Sequence, residues 1–304
     1  MKKMELGKSG LEVPAIALGC MSMNKLTKVE AERVISNSIE HGVNFFDHAD
    51  IYGKGKSEEI FAKGLPREVR REDIIIQSKT GIRNGYYDFS KQHIIKSAEE
   101  SLQRLNTDYL DVFLLHRPDA LMEPEEVAEA FSALHESGKV RFFGVSNHNS
   151  MQIKLLEKYL KQPIITNQLQ LSLTNSGLMN QGLFVNTNFE QASDRDGSIL
   201  DYSRLNDITI QAWSPFRHGF FDGLFVDSDD YPELNAELQQ LADKYDVSKS
   251  AIAVAWILRH PANILTIIGT MTPIRLTNIV KASEVDLTRQ EWYGLWQAAG
   301  NKLL

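Results

Sequence analysis

The sequence has almost no cysteine. Cys20 is the one cysteine among 304 residues, so the chain cannot form an internal disulfide. The Cys and His residues also lack the spacing that holds a structural zinc ion. We interpret Cys20 as a buried free thiol in a reducing compartment, and we expect no metal site.

A long hydrophobic run is missing as well. Lys2 and Lys3 near the start are followed by Glu5, without the apolar stretch that is typical of a signal peptide. Later runs fall well short of the ~20 apolar residues that a bilayer-spanning helix needs. We therefore expect a cytoplasmic protein that has no membrane partner.

The chain carries no excess of positive charge. Lys and Arg number 33 against 40 Asp and Glu, which leaves a net charge of -7. No stretch gathers enough basic side chains to form a face for a phosphate backbone, so we expect no nucleic acid partner. The hydrophobic fraction of 42% is that of an ordinary globular chain.

Short apolar runs alternate with amphipathic segments from one end of the chain to the other. This alternation is typical of β–α units around a parallel sheet. The predicted strands cover residues 15–18, 43–47, 74–79, 110–115, 140–145, 164–167, 208–213 and 264–268. Eight such units predict an α/β fold, a (β/α)8 TIM barrel with residues 1–304 in one domain. A doubly wound open sheet is the competing interpretation.

The predicted helices lie between these strands. Thr27 and Glu30 form a capping box, which predicts a helix that runs to about residue 40. The other predicted helices cover residues 58–65, 93–105, 125–136, 152–159, 235–245, 250–259 and 274–282, and a last one opens at Thr288.

Two further features are expected at the ends of the barrel. Residues 4–6 and 11–13 flank Gly7 and Gly10, which predicts a β-hairpin over the closed end. The irregular stretches 170–197 and 214–232 are long for connections in a barrel. Long loops of this kind are often functional, and we expect them on the face where the strands end.

Polar side chains follow the predicted strands at the points where these end. Asp47 ends the second strand and Tyr52 follows it, Lys79 ends the third strand, and His116 follows the fourth. Catalytic groups of a (β/α)8 barrel project from the C-terminal ends of the strands. We therefore expect a carboxylate, a phenol, an ammonium and an imidazole to converge.

These residues and their order resemble the aldo-keto reductase family over almost the whole chain. The phrases at 48–53 (HADIYG), 94–99 (IIKSAE) and 115–119 (LHRPD) are similar to a bacterial subgroup of predicted NADP-dependent oxidoreductases. The resemblance implies reduction of a small aldehyde or ketone to an alcohol by hydride transfer from NADPH. Asp47, Tyr52, Lys79 and His116 would be the catalytic residues.

The chemistry of such a site assigns each of the four a task. The carbonyl oxygen gains negative charge as it accepts hydride, so it needs a proton donor, which is Tyr52. We expect the Lys79 ammonium to lower the pKa of that phenol, and Asp47 to keep the ammonium charged. His116 would orient the carbonyl oxygen.

The resemblance also implies a cofactor site. Ser146, Asn147 and Gln168 would hold the nicotinamide carboxamide, and the Trp213 ring would stack on the nicotinamide. The phosphate end would lie at a group of residues near the last strands and the helix that follows, namely Ser214, Gly269, Thr270, Arg275 and Asn278. Arg275 favours NADP over NAD, because its guanidinium suits the 2'-phosphate.

The substrate pocket is expected in the loops over the site. These loops cover residues 21–25, 83–89, 171–189 and 216–225, and their aromatic side chains suggest an apolar wall. The candidate lining residues are Met21, Tyr86, Tyr87, Phe220 and Phe221. The sequence carries no signal for an oligomeric state.

Two other functions remain open at this point. The first is a regulatory or redox-sensing barrel protein that binds NADP and has little turnover. The second is a metal-dependent hydrolase barrel with His48, Asp50, His116 and Asp119 as ligands. The hydrolase fits poorly, because the first strand ends at Gly19 and Cys20 without a His pair.

Overall fold

Eight parallel strands close into a barrel in the computed structural model, which describes residues 1–219 and 222–301. The barrel is preceded by two hairpin strands, β1 (Lys3–Glu5) and β2 (Glu12–Pro14). The eight barrel strands are β3 (Ile16–Gly19), β4 (Phe45–Asp47), β5 (Ile75–Thr80), β6 (Leu110–Leu115), β7 (Val140–Ser146), β8 (Ile164–Gln170), β9 (Thr209–Trp213) and β10 (Leu265–Ile268). β10 pairs with both β9 and β3, so the ring from β3 to β10 is closed. The predicted TIM barrel is confirmed, and the open sheet is wrong because both edges of such a sheet are paired here.

Helices follow the barrel strands along the chain. They are α1 (Lys28–Glu40), α2 (Lys56–Gly64), α3 (Lys91–Leu105), α4 (Pro124–Glu136), α5 (Ser150–Glu157), α6 (Gly177–Leu183), α7 (Ile199–Leu205), α8 (Pro232–Tyr245), α9 (Lys249–Leu258), α10 (Pro273–Val280) and α11 (Arg289–Ala298). The predicted capping box is present, since the Glu30 N–H donates to Thr27 and the Thr27 N–H donates to the Glu30 carboxylate. Within the described part of the chain, no helix combines the length and the apolar character needed to cross a membrane.

The long connection after β8 contains structure that the sequence does not indicate. α6 lies inside the stretch predicted to be irregular, and α7 follows that stretch directly. α6 has only seven residues, too few for an apolar period to be visible. Tertiary contacts hold it, because Asn180 accepts a hydrogen bond from the Trp296 indole and donates one to Asn301.

The predicted hairpin closes the N-terminal end of the barrel. β1 and β2 pair antiparallel, with Met4 opposite Val13. The turn residue Gly7 donates its N–H to the Thr209 hydroxyl at 2.8 Å, at the start of β9. Gly7 has φ +59, and a Cβ there would lie 2.3 Å from the Ile165 carbonyl oxygen. A glycine therefore lets the hairpin seat against the barrel.

The interior of the barrel has an apolar lower part beneath a polar upper part. Side chains of the hairpin and the strands form the lower part: Leu6, Val13, Ala17, Phe45, Ile75, Val112, Leu114, Ile165, Leu265 and Ile267. A larger apolar core lies between the strands and the surrounding helices. Because the lower part is filled and capped, a site inside the barrel can open only at the C-terminal ends of the strands.

Candidate active site

The centre of the candidate site is the fully buried ammonium of Lys79. Its Nζ lies 2.7 and 2.8 Å from the two carboxylate oxygens of Asp47. The same nitrogen donates to the His48 carbonyl at 2.7 Å and to the Tyr52 hydroxyl at 3.2 Å. One ammonium therefore joins the end of β4, the end of β5 and the loop that follows β4.

Tyr52 reaches this position through a tight chain reversal. It opens a short 3-10 turn, in which Gly53 and Lys54 both have φ +57. A Cβ at Gly53 would lie 2.7 Å from the Asn24 side chain, so the turn needs glycine there. The Tyr52 ring stands edge-on to the His116 ring, with 5.9 Å between centroids. The four predicted catalytic residues are thus brought together.

The Lys79 ammonium stays charged despite its burial. Burial by itself lowers the pKa of Lys79, but the Asp47 carboxylate and the Tyr52 hydroxyl beside it outweigh this effect. The net pKa of Lys79 is therefore raised. The expected role of Asp47 agrees with this arrangement, since an opposite charge in contact favours the charged form.

The expected lowering of the Tyr52 pKa is not what the structure gives. Burial raises the pKa of Tyr52, the Lys79 charge lowers it, and the Asp47 charge raises it again. The net pKa lies above the ordinary value of 10.0. The physical reason is that burial penalises the charged phenolate, and Asp47 offsets part of the stabilisation that the Lys79 charge gives it.

His116 is a neutral imidazole in this site. Burial lowers its pKa well below 6.5, and the charges of Lys79 and Arg117 act in the same direction. A neutral imidazole can donate one N–H to a carbonyl oxygen but carries no spare proton at neutral pH. This supports His116 as the residue that orients the substrate.

The sequence analysis did not identify Gln77 and Gln211, which lie beneath Lys79. Asp47 Oδ1 accepts hydrogen bonds from the side-chain amides of Gln77 at 2.6 Å and Gln168 at 3.1 Å. Gln211 in turn bonds to both glutamines. Gln77 stands two residues before Lys79 and Gln211 two before Trp213. The alternation of a strand was therefore the signal that could have placed them on the same inward face.

The residues expected around the nicotinamide form one connected group. Asn147, at φ +61, donates through Nδ2 to the Ser146 hydroxyl at 2.8 Å. Trp213 donates its indole N–H to Asn147 Oδ1 at 3.2 Å, and Ser146 donates to the Gln168 carbonyl at 2.9 Å. The ends of β7, β8 and β9 hold these side chains beside the catalytic residues.

The residues expected at the phosphate end lie where β9 and β10 end. Ser214 follows β9 with φ +51, and Gly269 and Thr270 follow β10. α10 opens next to this turn, and Arg275 lies exposed in its first turn, with Asn278 exposed further along the helix. A Cβ at Gly269 would meet no neighbouring atom. The start of a helix, open space beside Gly269 and a guanidinium together fit a bound phosphate.

Part of the predicted substrate pocket is described by the structure. Met21, Tyr86 and Tyr87 lie on loops over the barrel, with 45%, 60% and 45% of their surfaces exposed. Phe220 and Phe221 lie outside the described residues.

The structure does not group the ligands that the hydrolase alternative requires. The buried His48 ring packs edge-on against Phe61, with 4.6 Å between centroids, and Asp50 pairs with Arg83. Asp119 accepts hydrogen bonds from backbone N–H groups of its own and a neighbouring loop. Over residues 1–219 and 222–301, no three His, Cys, Asp or Glu side chains are placed to share a metal ion.

Comparison with known proteins agrees with the geometry. The model of the Aldo/keto reductase family matches residues 15–298. The chain is 34% identical to the uncharacterized oxidoreductase YcsN of Bacillus subtilis, over 98% of both chains. It is 33% identical to a 6-dehydroglucose reductase of Agrobacterium fabrum, over 88% of this chain and 87% of the relative.

A solved structure extends the likeness to the fold. The thermostable aldo-keto reductase Tm1743, crystallised with the inhibitor epalrestat, aligns with a TM-score of 0.79 and 26% identity. The alignment covers 98% of this chain and all of that one. The chain therefore belongs to the aldo/keto reductase family, and it is an oxidoreductase of the kind that reduces carbonyl groups with a nicotinamide cofactor.

Proposed function

We propose that the protein reduces a small aldehyde or ketone with NADPH, and that Tyr52 donates the proton. The observation that carries this proposal is the position of Lys79 Nζ, which contacts the Asp47 carboxylate and the Tyr52 hydroxyl at once. An ion pair that served only stability would have no need of a phenol as its third member. A buried ammonium beside a phenol suits a step in which the phenol loses its proton.

The side chains divide the work of this step. NADPH, when bound, supplies the hydride to the carbonyl carbon. The neutral His116 N–H and the Tyr52 O–H both donate to the carbonyl oxygen, and these bonds strengthen as negative charge grows there. Tyr52 then gives up its proton, and Lys79 stabilises the phenolate that remains. Asp47 keeps Lys79 charged throughout.

The raised pKa of Tyr52 is compatible with this role. The phenol stays protonated at neutral pH, so Tyr52 has a proton to donate. An alkoxide is a stronger base than a phenolate, so the transfer from Tyr52 to the forming alkoxide is still favourable. The ammonium of Lys79 therefore stabilises mainly the phenolate that forms as Tyr52 loses its proton.

The cofactor is proposed to lie across the ends of β7 to β10. Gln168 turns its NH2 group to the barrel interior, so its oxygen is the atom available for the NH2 of a carboxamide. Trp213 offers a ring face for stacking. Arg275, at the start of α10, suits the 2'-phosphate that distinguishes NADPH from NADH.

A panel of carbonyl compounds tests this function. Aldehydes, diketones, ring ketones and an oxidised sugar would be incubated with the protein and NADPH, and the loss of NADPH absorbance would be followed. The oxidised sugar is included because a relative is named 6-dehydroglucose reductase. We expect turnover of at least one class, and we expect it to be slower by about 10² to 10⁴ in a matched Tyr52→Phe protein. Tight NADPH binding with silence across the panel would instead support the regulatory alternative.

A further inference from the structure

Three buried glutamines form a polar layer inside the barrel, directly beneath the Lys79 ion pair. Gln77 on β5, Gln168 on β8 and Gln211 on β9 are between 0% and 3% exposed. The interior of such a barrel is usually filled by branched apolar side chains, and the layer below has this composition. Burying three amides opposes folding unless every amide is hydrogen-bonded. Their presence therefore indicates a role other than filling space.

The three amides and Asp47 form one hydrogen-bonded network. Gln77 Nε2 donates to Asp47 Oδ1 at 2.6 Å and to Gln211 Oε1 at 2.8 Å. Gln211 Nε2 donates back to Gln77 Oε1 at 2.9 Å. Gln168 Nε2 donates to Gln211 Oε1 at 3.0 Å and to Asp47 Oδ1 at 3.1 Å.

The charge of Asp47 determines the direction of every bond in this network. An ionised carboxylate only accepts hydrogen bonds, so Gln77 and Gln168 must present their NH2 groups to it. The Gln211 atom that faces both NH2 groups must then be its oxygen. Its own NH2 group is left to face the Gln77 oxygen. The arrangement therefore has one consistent direction and leaves no amide free to flip.

We propose that Gln77 and Gln211 are positioning residues for the proton transfer, and that they act through Asp47. This proposal rests on the proposed function. The Gln77 and Gln168 amides hold the Asp47 carboxylate in one orientation, and Gln211 holds both amides. The carboxylate in turn sets where Lys79 Nζ lies relative to the Tyr52 hydroxyl.

The geometry at Lys79 shows why this orientation matters. Its Nζ donates hydrogen bonds to the Asp47 carboxylate, the His48 carbonyl and the Tyr52 hydroxyl. The bond to Tyr52 is the longest of the three, at 3.2 Å. A carboxylate that turns would draw the ammonium after it, because charge-assisted hydrogen bonds are the stronger ones. The first contact to be lost is then the one to Tyr52.

Three variants and one control test the proposal. Gln77→Met and Gln211→Met replace each amide by an apolar side chain of similar length, and the third variant combines them. Thr166→Val is the control, because Thr166 is as deeply buried but donates only to the Thr209 carbonyl. For each protein, kcat, the KM of an active carbonyl substrate, the Kd of NADPH and the thermal midpoint would be measured.

The proposal predicts that catalysis and stability separate. We expect kcat to fall about tenfold to a hundredfold in each single variant, since hydrogen bonds to a charged group are affected. KM and the NADPH Kd should stay within about twofold, because Gln168, the amide assigned to the cofactor, keeps its hydrogen bond to Asp47 in each variant. In the double variant the thermal midpoint should recover, since neither partner is left buried and unpaired. Its kcat should stay low.

The opposite pattern would overturn the proposal. If kcat recovers together with the thermal midpoint in the double variant, the glutamines serve only stability. A crystal structure of the double variant gives a readout without turnover. We expect the Lys79 Nζ to Tyr52 Oη distance to exceed 3.5 Å, the usual limit of a hydrogen bond, and unchanged contacts would contradict us. Tyr52→Phe is assayed in parallel: if it retains activity, the failure lies with the proposed function.

Discussion

Lys79 Nζ lies 3.2 Å from the Tyr52 hydroxyl oxygen and holds the Asp47 carboxylate with the same ammonium. The phenol and the ammonium are therefore one unit, whose parts come from the loop after β4 and from the end of β5. A substitution of either residue therefore changes the electrostatic environment of the other. Most of the predictions below test this unit or the residues around it.

Replacing Tyr52 by Phe removes one hydroxyl and should leave the barrel folded. We expect NADPH to bind with unchanged affinity, while kcat for carbonyl reduction falls by about 10² to 10⁴, which is the usual contribution of a general acid. The control is Tyr159→Phe, which removes the hydroxyl of a ring that contacts Lys158 just after α5 and should have no effect. Reduction near the wild-type rate in Tyr52→Phe would show that Tyr52 is not the proton donor.

Replacing Lys79 by Met should damage both activity and stability. The phenolate loses its ammonium, so we expect a loss of kcat comparable to that of Tyr52→Phe. Asp47 becomes a buried charge without its partner, and the free energy of unfolding should drop by about 3 to 5 kcal/mol. Denaturant unfolding and steady-state kinetics measure the two effects.

Two double variants that contain Lys79→Met separate the loss of activity from the loss of stability. Adding Asp47→Asn to Lys79→Met should restore stability, because the unpaired charge is gone, but it should not restore kcat. Tyr52→Phe with Lys79→Met should lose scarcely more activity than either change alone, since both residues serve one proton transfer. Fully additive losses in kcat would show that the two residues act in separate steps.

Arg275 should decide between the two nicotinamide cofactors. Fluorescence titration of the wild type should show tighter binding of NADPH than of NADH, because the guanidinium can form paired bonds with the 2'-phosphate. We expect Arg275→Ala to narrow this gap by weakening NADPH binding alone. Arg275→Lys keeps the charge without the paired geometry and should lie between the two. Equal affinities in the wild type would remove the argument for NADPH.

His48 should make the protein sensitive to acid. Burial and, to a smaller extent, the Lys79 charge lower the pKa of His48 to about 3, whereas an unfolded His titrates near 6.5. Between these values the unfolded chain binds a proton that the folded chain does not, so stability falls as the pH decreases. The slope contributed by this group is about 1.4 kcal/mol per pH unit.

The pH dependence of unfolding in His48→Leu provides the measurement. We expect its stability to decline less steeply than that of the wild type between neutral pH and pH about 4. His135→Gln is the control, because it removes an imidazole from an exposed position on α4. Parallel curves for the wild type and His48→Leu would show that His48 is not buried in its neutral form.

The sequence by itself was enough to predict the architecture and to predict that the candidate catalytic residues lie together. Parallel strands buried on both faces leave apolar runs such as 110–115, and these are visible without any tertiary contact. Carboxyl ends of parallel strands meet at one face, so Asp47, Lys79 and His116 could be brought together from their places in the chain alone. The helix that begins after Thr27 follows from a local capping box.

Only the tertiary structure decided what surrounds those residues. Gln77 and Gln211 are 134 residues apart, and nothing local marks them as partners of each other or of Asp47. The pKa of Tyr52 rises because burial and Asp47 together outweigh Lys79, a balance among groups from three parts of the chain. Local patterns record what each residue prefers, whereas burial and electrostatic balance depend on all of its neighbours in the fold.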